Sequence, residues 1–233
     1  MFPALRLNRP QIANVKGGET FQTGRPMRYI PSTVSIVVTT LTLFATSAAM
    51  VLQSSAETIG SSYTSTAPKD CRVKSAGNGV DDSTIRICPG KNGLIVLISE
   101  DDLRETVSVG RNRLAASKEP AAETWFGPFN STTNTVEWRT ANGRPYAIIQ
   151  RWHIADNSDR DKDDRPIAKQ MLAVTRLSPG PVCHVAYVDV QANLDANELA
   201  RKAADEIARN FKCDKDKVKT VGNSGRAVEL TSR

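Results

Sequence analysis

Histidine is nearly missing from this 233-residue chain: His153 and His184 are the only two. Any histidine general base or metal ligand has to be one of them. Aromatic residues make up 6%, so a packed core has few to spare. There is no CxxC pair, and neither histidine lies at zinc spacing from a cysteine. The glycine fingerprint of dinucleotide folds, the Walker phosphate loop and the GxSxG elbow are absent as well, so no cofactor is expected. Glycine is held to 14 residues, no heptad run persists, no internal repeat is visible and only one long apolar run occurs. Collagen-like, coiled-coil and polytopic membrane classes are thereby excluded. What is there, 39% hydrophobic and 24% charged residues, suits one large globular domain or two small ones.

The apolar run VSIVVTTLTLFATSAAMVL fills residues 34–52, behind Arg25 and Arg28 and ahead of Ser54, Ser55 and Ala56. A basic flank, an apolar centre and a small-residue exit are the parts of a secretory signal peptide, with cleavage after Ala49 or after Ala56. Met27-Arg28-Tyr29 makes an ordinary signal start, so residues 1–26 are expected to lie upstream of the true one. Nineteen residues also just span a bilayer, which keeps an uncleaved anchor as the competing reading, although six Ser and Thr in the run weaken insertion. In both readings the basic flank stays inside and residues 57–233 are exported, periplasmic or secreted. The chain then divides into a leader (1–56), a Ser/Thr/Pro linker (57–69) and an exported domain (70–233). Five basic residues against one acidic in the leader account for +4 of the formal net charge of +6, which leaves +2 outside. No basic surface for nucleic acid remains.

Cys71, Cys88, Cys183 and Cys213 form an even set in an exported chain, the pattern of two structural disulfides. A turn-rich stretch around Gly79 separates the first two, and a hairpin there sets Cys71 opposite Cys88. From Cys183 a strand to Val190 runs about 23 Å at ~3.3 Å per residue. A helix over 196–212 returns about 24 Å at ~1.5 Å per residue, which brings Cys213 back beside Cys183.

Strand patterns occupy 84–88, 93–99, 103–109, 135–140, 146–154, 171–177 and 182–190, with a further short one at 227–231. Asn142-Gly143 and Ser178-Pro179-Gly180-Pro181 mark tight turns between neighbours. Pro120 opens a short helix over 121–126. Asp195 with Glu198 reads as a capping box for the long helix, whose apolar stripe is Leu199, Ala203, Ile207 and Phe211. Arg201, Lys202, Asp205 and Arg209 form its solvated face. The expected fold is α+β: one antiparallel sheet of about seven strands, built from hairpins and a meander, with the C-terminal amphipathic helix packed on it. The stretches CPGKNGLIVLISEDDLRETVSVGR (88–111) and PGPVCHVAYVDVQANLDANELARKAADEIARNFKC (179–213) resemble a group of small exported proteins of rhizobial-type alphaproteobacteria. That resemblance implies an origin and a location, and it brings no catalytic residues.

Four features invite a functional reading. Asp159, Asp161 and Asp163, within the acidic stretch 156–164, have the alternate-oxygen spacing of a calcium loop. Asp164 replaces the turn glycine of that loop and Gln170 its bidentate glutamate, so a solvated turn is the stronger expectation. Glu100, Asp101 and Asp102 are paired carboxylates in a hairpin turn. Gly222-Asn223-Ser224-Gly225 is faintly similar to the nucleophile loop of chymotrypsin-like proteases, in a chain too short for their double barrel. Trp125, Phe126 and Phe129 surround Gly127-Pro128 and form either an exposed platform or a plug at one end of the sheet. The leading expectation is an exported, periplasmic, non-catalytic domain that binds a protein, peptide or envelope component or stabilises the envelope. The alternatives are a cell-envelope hydrolase using His153 or His184 with a carboxylate, and a calcium-stabilised domain.

Overall fold

Two separate sheets, antiparallel except at the short edge strand after the long helix, take up the apolar alternation. The computed structural model describes residues 56–75 and 83–231. The leader, apart from Ala56, and the turn near Gly79 lie outside the described residues. In chain order the elements are β1 (Ile59–Ser65), β2 (Arg72–Ser75), β3 (Thr84–Pro89), β4 (Ile95–Asp101), β5 (Arg104–Gly110), α1 (Arg113–Ala116), β6 (Asn130–Ala141), β7 (Arg144–Arg160), β8 (Pro166–Arg176), β9 (Cys183–Asp189), α2 (Ala196–Ala203), β10 (Lys219–Thr220) and α3 (Arg226–Thr231). A six-stranded sheet has the order β1-β6-β7-β8-β9-β10 and a four-stranded sheet the order β2-β3-β4-β5. The chain is thus α+β, but its sheets number two. Among the described residues, no helix is long and apolar enough to cross a membrane.

The physical reason for the division is that β7 and β8 are apolar on both faces. Ile148, Trp152, Ile154, Met171 and Ala173 meet Cys88, Val96, Ile98, Val107 and Val109 of the smaller sheet. Ile149, Leu172 and Val174 point the other way and meet the alanines of α2 and the turn after it. A sheet buried on both faces needs a cover on each. The face of β7 that carries Ile148 and Trp152 is therefore only half of its core. Tyr146 leaves the face of Ile148: a register shift falls between Arg139 and Thr140 of β6, and Tyr146 joins the α2 side.

Both cysteine pairs close as their spacing implies. Cys71–Cys88 continues the antiparallel register of β2 and β3, and Cys183–Cys213 ties the start of β9 to the chain beyond α2. Each is worth about 3 kcal/mol. The Asn142-Gly143 turn has positive φ at both residues, 49° and 75°, the geometry that matches strand twist in a two-residue hairpin.

Five local expectations are corrected. Residues 59–65, expected in a linker, form β1, which pairs with β6 along its whole length from Ile59–Ala141 to Ser65–Thr135. The helix from Ala196 is α-helical to Ala203, runs on as one π turn over Ala204–Ala208 and stops short of Lys212. Asp195 makes no side-chain cap there; its backbone carbonyl accepts from the Leu199 N–H. The 121–126 helix is a short 3₁₀ turn, Pro120–Glu123, that ends before Phe126. Residues 227–231 are helix α3, not a strand, because β10 already occupies the edge of β9, in parallel, and the Ala227 N–H is held by Asp189.

Candidate functional site

On the helix face expected to be solvated, Lys202 and Arg209 are exposed, but Arg201 and Asp205 form an ion-paired seam with β6. Arg201 grips Glu137 of β6 through Nε at 2.7 Å and Nη2 at 3.3 Å. Arg139 grips Asp205 through Nε at 2.9 Å and Nη2 at 2.6 Å. Two-pronged arginine–carboxylate pairs fix direction as well as distance. The Tyr146 hydroxyl also donates to Asp205. Burial first, and then that carboxylate, push the phenol pKa up. These groups hold the helix against the sheet.

The aspartates of the acidic stretch 156–164 are likewise engaged. Asp161 Oδ1 accepts from the backbone N–H groups of Asp163 and Arg165, both at 2.9 Å. Asp159 pairs with Lys169, and Asp163 with Arg165. Asp156 is bound by Arg226 through Nε at 2.7 Å and Nη2 at 3.0 Å, and accepts from Ser158. Arg226 foremost, with Ser158 second, holds that carboxyl well below the ordinary range. Among the described residues no three His, Cys, Asp or Glu side chains converge as a metal set. Chelator is therefore expected to leave the melting temperature unchanged, as is millimolar calcium; a shift in either would restore the calcium reading.

His184 lies inside. It is 3% exposed and sits among Phe126, Trp152 and Tyr187, with ring centroids 6.0, 6.3 and 5.6 Å away. Its Nδ1 is 2.9 Å from the Tyr187 hydroxyl, while its Nε2 and the Trp152 indole N–H have no hydrogen-bond partner among the described residues. Burial pulls its pKa down to about 4, so the ring is neutral at pH 7. A base so enclosed does not reach substrate. The aromatic trio divides accordingly: Phe126 is a plug at 2% exposure, Trp125 is half-buried and Phe129 is exposed.

His153 belongs to the surface. A cleft of about 300 Å³ is lined by Glu100, Leu103, Glu105, Phe129, Ser131 and His153, among others. Ser131 stands opposite His153 in the β6–β7 register. Glu105 is not free for chemistry: Arg86 pairs with it, and the Thr132 N–H and hydroxyl donate to it at 2.6 and 2.7 Å. Asp102 pairs with Arg104, whose guanidinium lies 4.8 Å from the centre of the Phe129 ring. Three residues noted separately in the sequence, Glu100, Phe129 and His153, thus share one cleft. The loop at Ser224 does not join them: Gly222 and Gly225 pack on Asn193 and Asp189.

A larger cleft, about 750 Å³, opens at the other end of β7. The start of β7 supplies Arg144 and Pro145, the end of β8 supplies Arg176, the β8–β9 connection supplies Leu177 and Pro179, and the chain beyond α2 supplies Arg209. Arg209 pairs with Glu57 at 2.6 Å and lies 4.3 Å over the Tyr146 ring. Arg176 is 8% exposed and donates to the backbone carbonyls of Ala208 at 3.2 Å and Pro179 at 2.6 Å. Sequence reading misses this site because its residues come from four distant places. One signal was present: Arg176 closes the otherwise apolar strand MLAVTR, at a position whose neighbours are buried. A scan against protein-family models finds no match to this chain, and searches of curated proteins and of solved structures find none either.

Proposed function

We propose that the protein is an exported, periplasmic domain that binds a ligand or partner of the envelope and performs no chemistry itself, with the origin that its resemblance to rhizobial-type exported proteins implies. One observation carries this reading: the larger cleft gathers the guanidinium groups of Arg144, Arg176 and Arg209 with apolar side chains, beside Glu57, Asn142, Tyr146 and Ser178, and neither histidine belongs to it. The two disulfides suit an oxidising compartment, which supports export. Hydrolysis is the second reading, favoured by the cross-strand pairing of Ser131 with His153 beside Glu100 in the smaller cleft.

Purified full-length protein is expected to leave chromogenic ester, phosphomonoester, glycoside and peptide substrates untouched. Turnover that disappears in both Ser131→Ala and His153→Ala, with melting unchanged, would instead establish the hydrolase.

A further inference from the structure

The larger cleft contains an imbalance of charge. Glu57 answers Arg209, but among the described residues no carboxylate pairs with Arg144 or Arg176. Arg144 is exposed at the start of β7, where water suffices. Arg176 is not: a guanidinium so buried is costly without a counter-charge, and carbonyl oxygens meet only part of its donor capacity. Nor is it free to swing out. Its Nη1 lies 4.0 Å from Cys213 Sγ, in the disulfide that clamps this corner. A Cβ on Gly180, which has φ +85°, would come within 3.2 Å of the same nitrogen. The group is fixed and edges a cleft whose wall is apolar at Ala141, Pro145, Leu177 and Pro179 and polar at Asn142, Tyr146 and Ser178.

We propose that this cleft is an oxyanion site, which takes a small molecule carrying a carboxylate or phosphate on an apolar body and pairs it with Arg176 and Arg144. The planar guanidinium suits both oxyanions two-pronged. A volume of about 750 Å³ is that of a small-molecule site, and the proline and leucine wall gives the apolar part a dry surface. The proposal rests on the reading of the protein as a non-catalytic binding domain and names the ligand class for it.

The test is calorimetry and thermal melting of the oxidised full chain with phenyl phosphate, benzoate, inorganic phosphate and benzyl alcohol, at constant ionic strength. Phenyl phosphate or benzoate is expected to bind and raise the melting temperature. Whichever is tighter identifies the oxyanion; inorganic phosphate is expected to bind more weakly, and benzyl alcohol not at all. Arg144→Glu, at an exposed strand end, is expected to keep the fold and weaken binding by roughly ten-fold or more. Arg176→Gln should abolish binding; should it not fold, Arg144→Glu alone decides. Absence of binding by both organic anions, or binding that Arg144→Glu leaves unchanged, overturns the proposal. Substrate turnover at Ser131 and His153 would overturn the non-catalytic reading and leave this binding result standing, so the two failures are distinguishable.

Discussion

Between pH 6.5 and about 4 the folded state is expected to lose about 3 kcal/mol through His184 alone. The unfolded chain takes up a proton near the ordinary imidazole pKa, whereas the buried ring resists until about pH 4. A folded pKa below the unfolded one means that the contribution is whole above pH 6.5 and drains away as pH falls. Asp156 has a depressed carboxyl pKa, so its contribution is lost only below the ordinary carboxylate range, near pH ~4 and downward. The two windows scarcely overlap. Urea midpoints at several pH values between ~7.5 and ~4.5 isolate the histidine. His184→Phe, which keeps a ring against Trp152, is expected to cost about 1 kcal/mol at neutral pH, because the Tyr187 hydroxyl loses its partner. At pH ~5 the deficit should vanish or reverse, since the variant has nothing there to protonate. Parallel slopes for the two proteins would show that the cluster admits a proton on some other account.

Asp189→Ala is expected to be the most damaging single change in the domain, at about 4 kcal/mol. At the end of β9 this carboxylate is 1% exposed. One oxygen accepts from the Gln191 and Ala192 N–H groups, both at 2.9 Å, and the other from the Ala227 N–H at 2.8 Å. It thus shapes the turn after β9 and starts α3 at once. Asn193 stitches the same two segments, donating to the carbonyls of Asp189 and Asn223 and accepting from the Asn223 N–H. Alanine leaves three backbone donors unanswered in a closed space. Asp189→Asn keeps one acceptor but turns an amide N–H toward a donor, for about half the loss. Gly225→Ala reaches the same joint from the other side, since its Cβ would come within 2.5 Å of the carboxylate carbon. Urea midpoints of the three variants check this; a loss under about 1 kcal/mol for Asp189→Ala would show that water replaces the carboxylate at no great cost.

Which parts of the fold could be read from the chain follows from how far apart the determining residues lie. The Asn142-Gly143 turn, the β8–β9 connection and both disulfides depend on neighbouring segments and their lengths, and they stand as expected. The division into two sheets depends on what covers each face of β7. That information is in its pattern, because Ala147 and Ile149 are apolar as well as Ile148 and Ile154, but a strand apolar on both faces does not say how many sheets and helices cover it. α3 was missed because a five-residue apolar pattern has no period long enough to separate strand from helix. In the clefts, Phe129, His153 and Glu100 were legible as residue types but not as neighbours. Arg176 was hidden by convention: charge at a strand end reads as surface, and here the strand end is inside.

The doubly covered sheet also sets how freely this domain can drift. In a sheet with one wet side, alternate positions tolerate almost any residue. Along 146–149 and 171–176 every side chain is buried, on one side or the other, so tolerance there has no period of two. Variation is confined to turns, outer strands and the exposed positions of α2, and a library randomised across the domain should reveal the middle layer as unbroken blocks of intolerance.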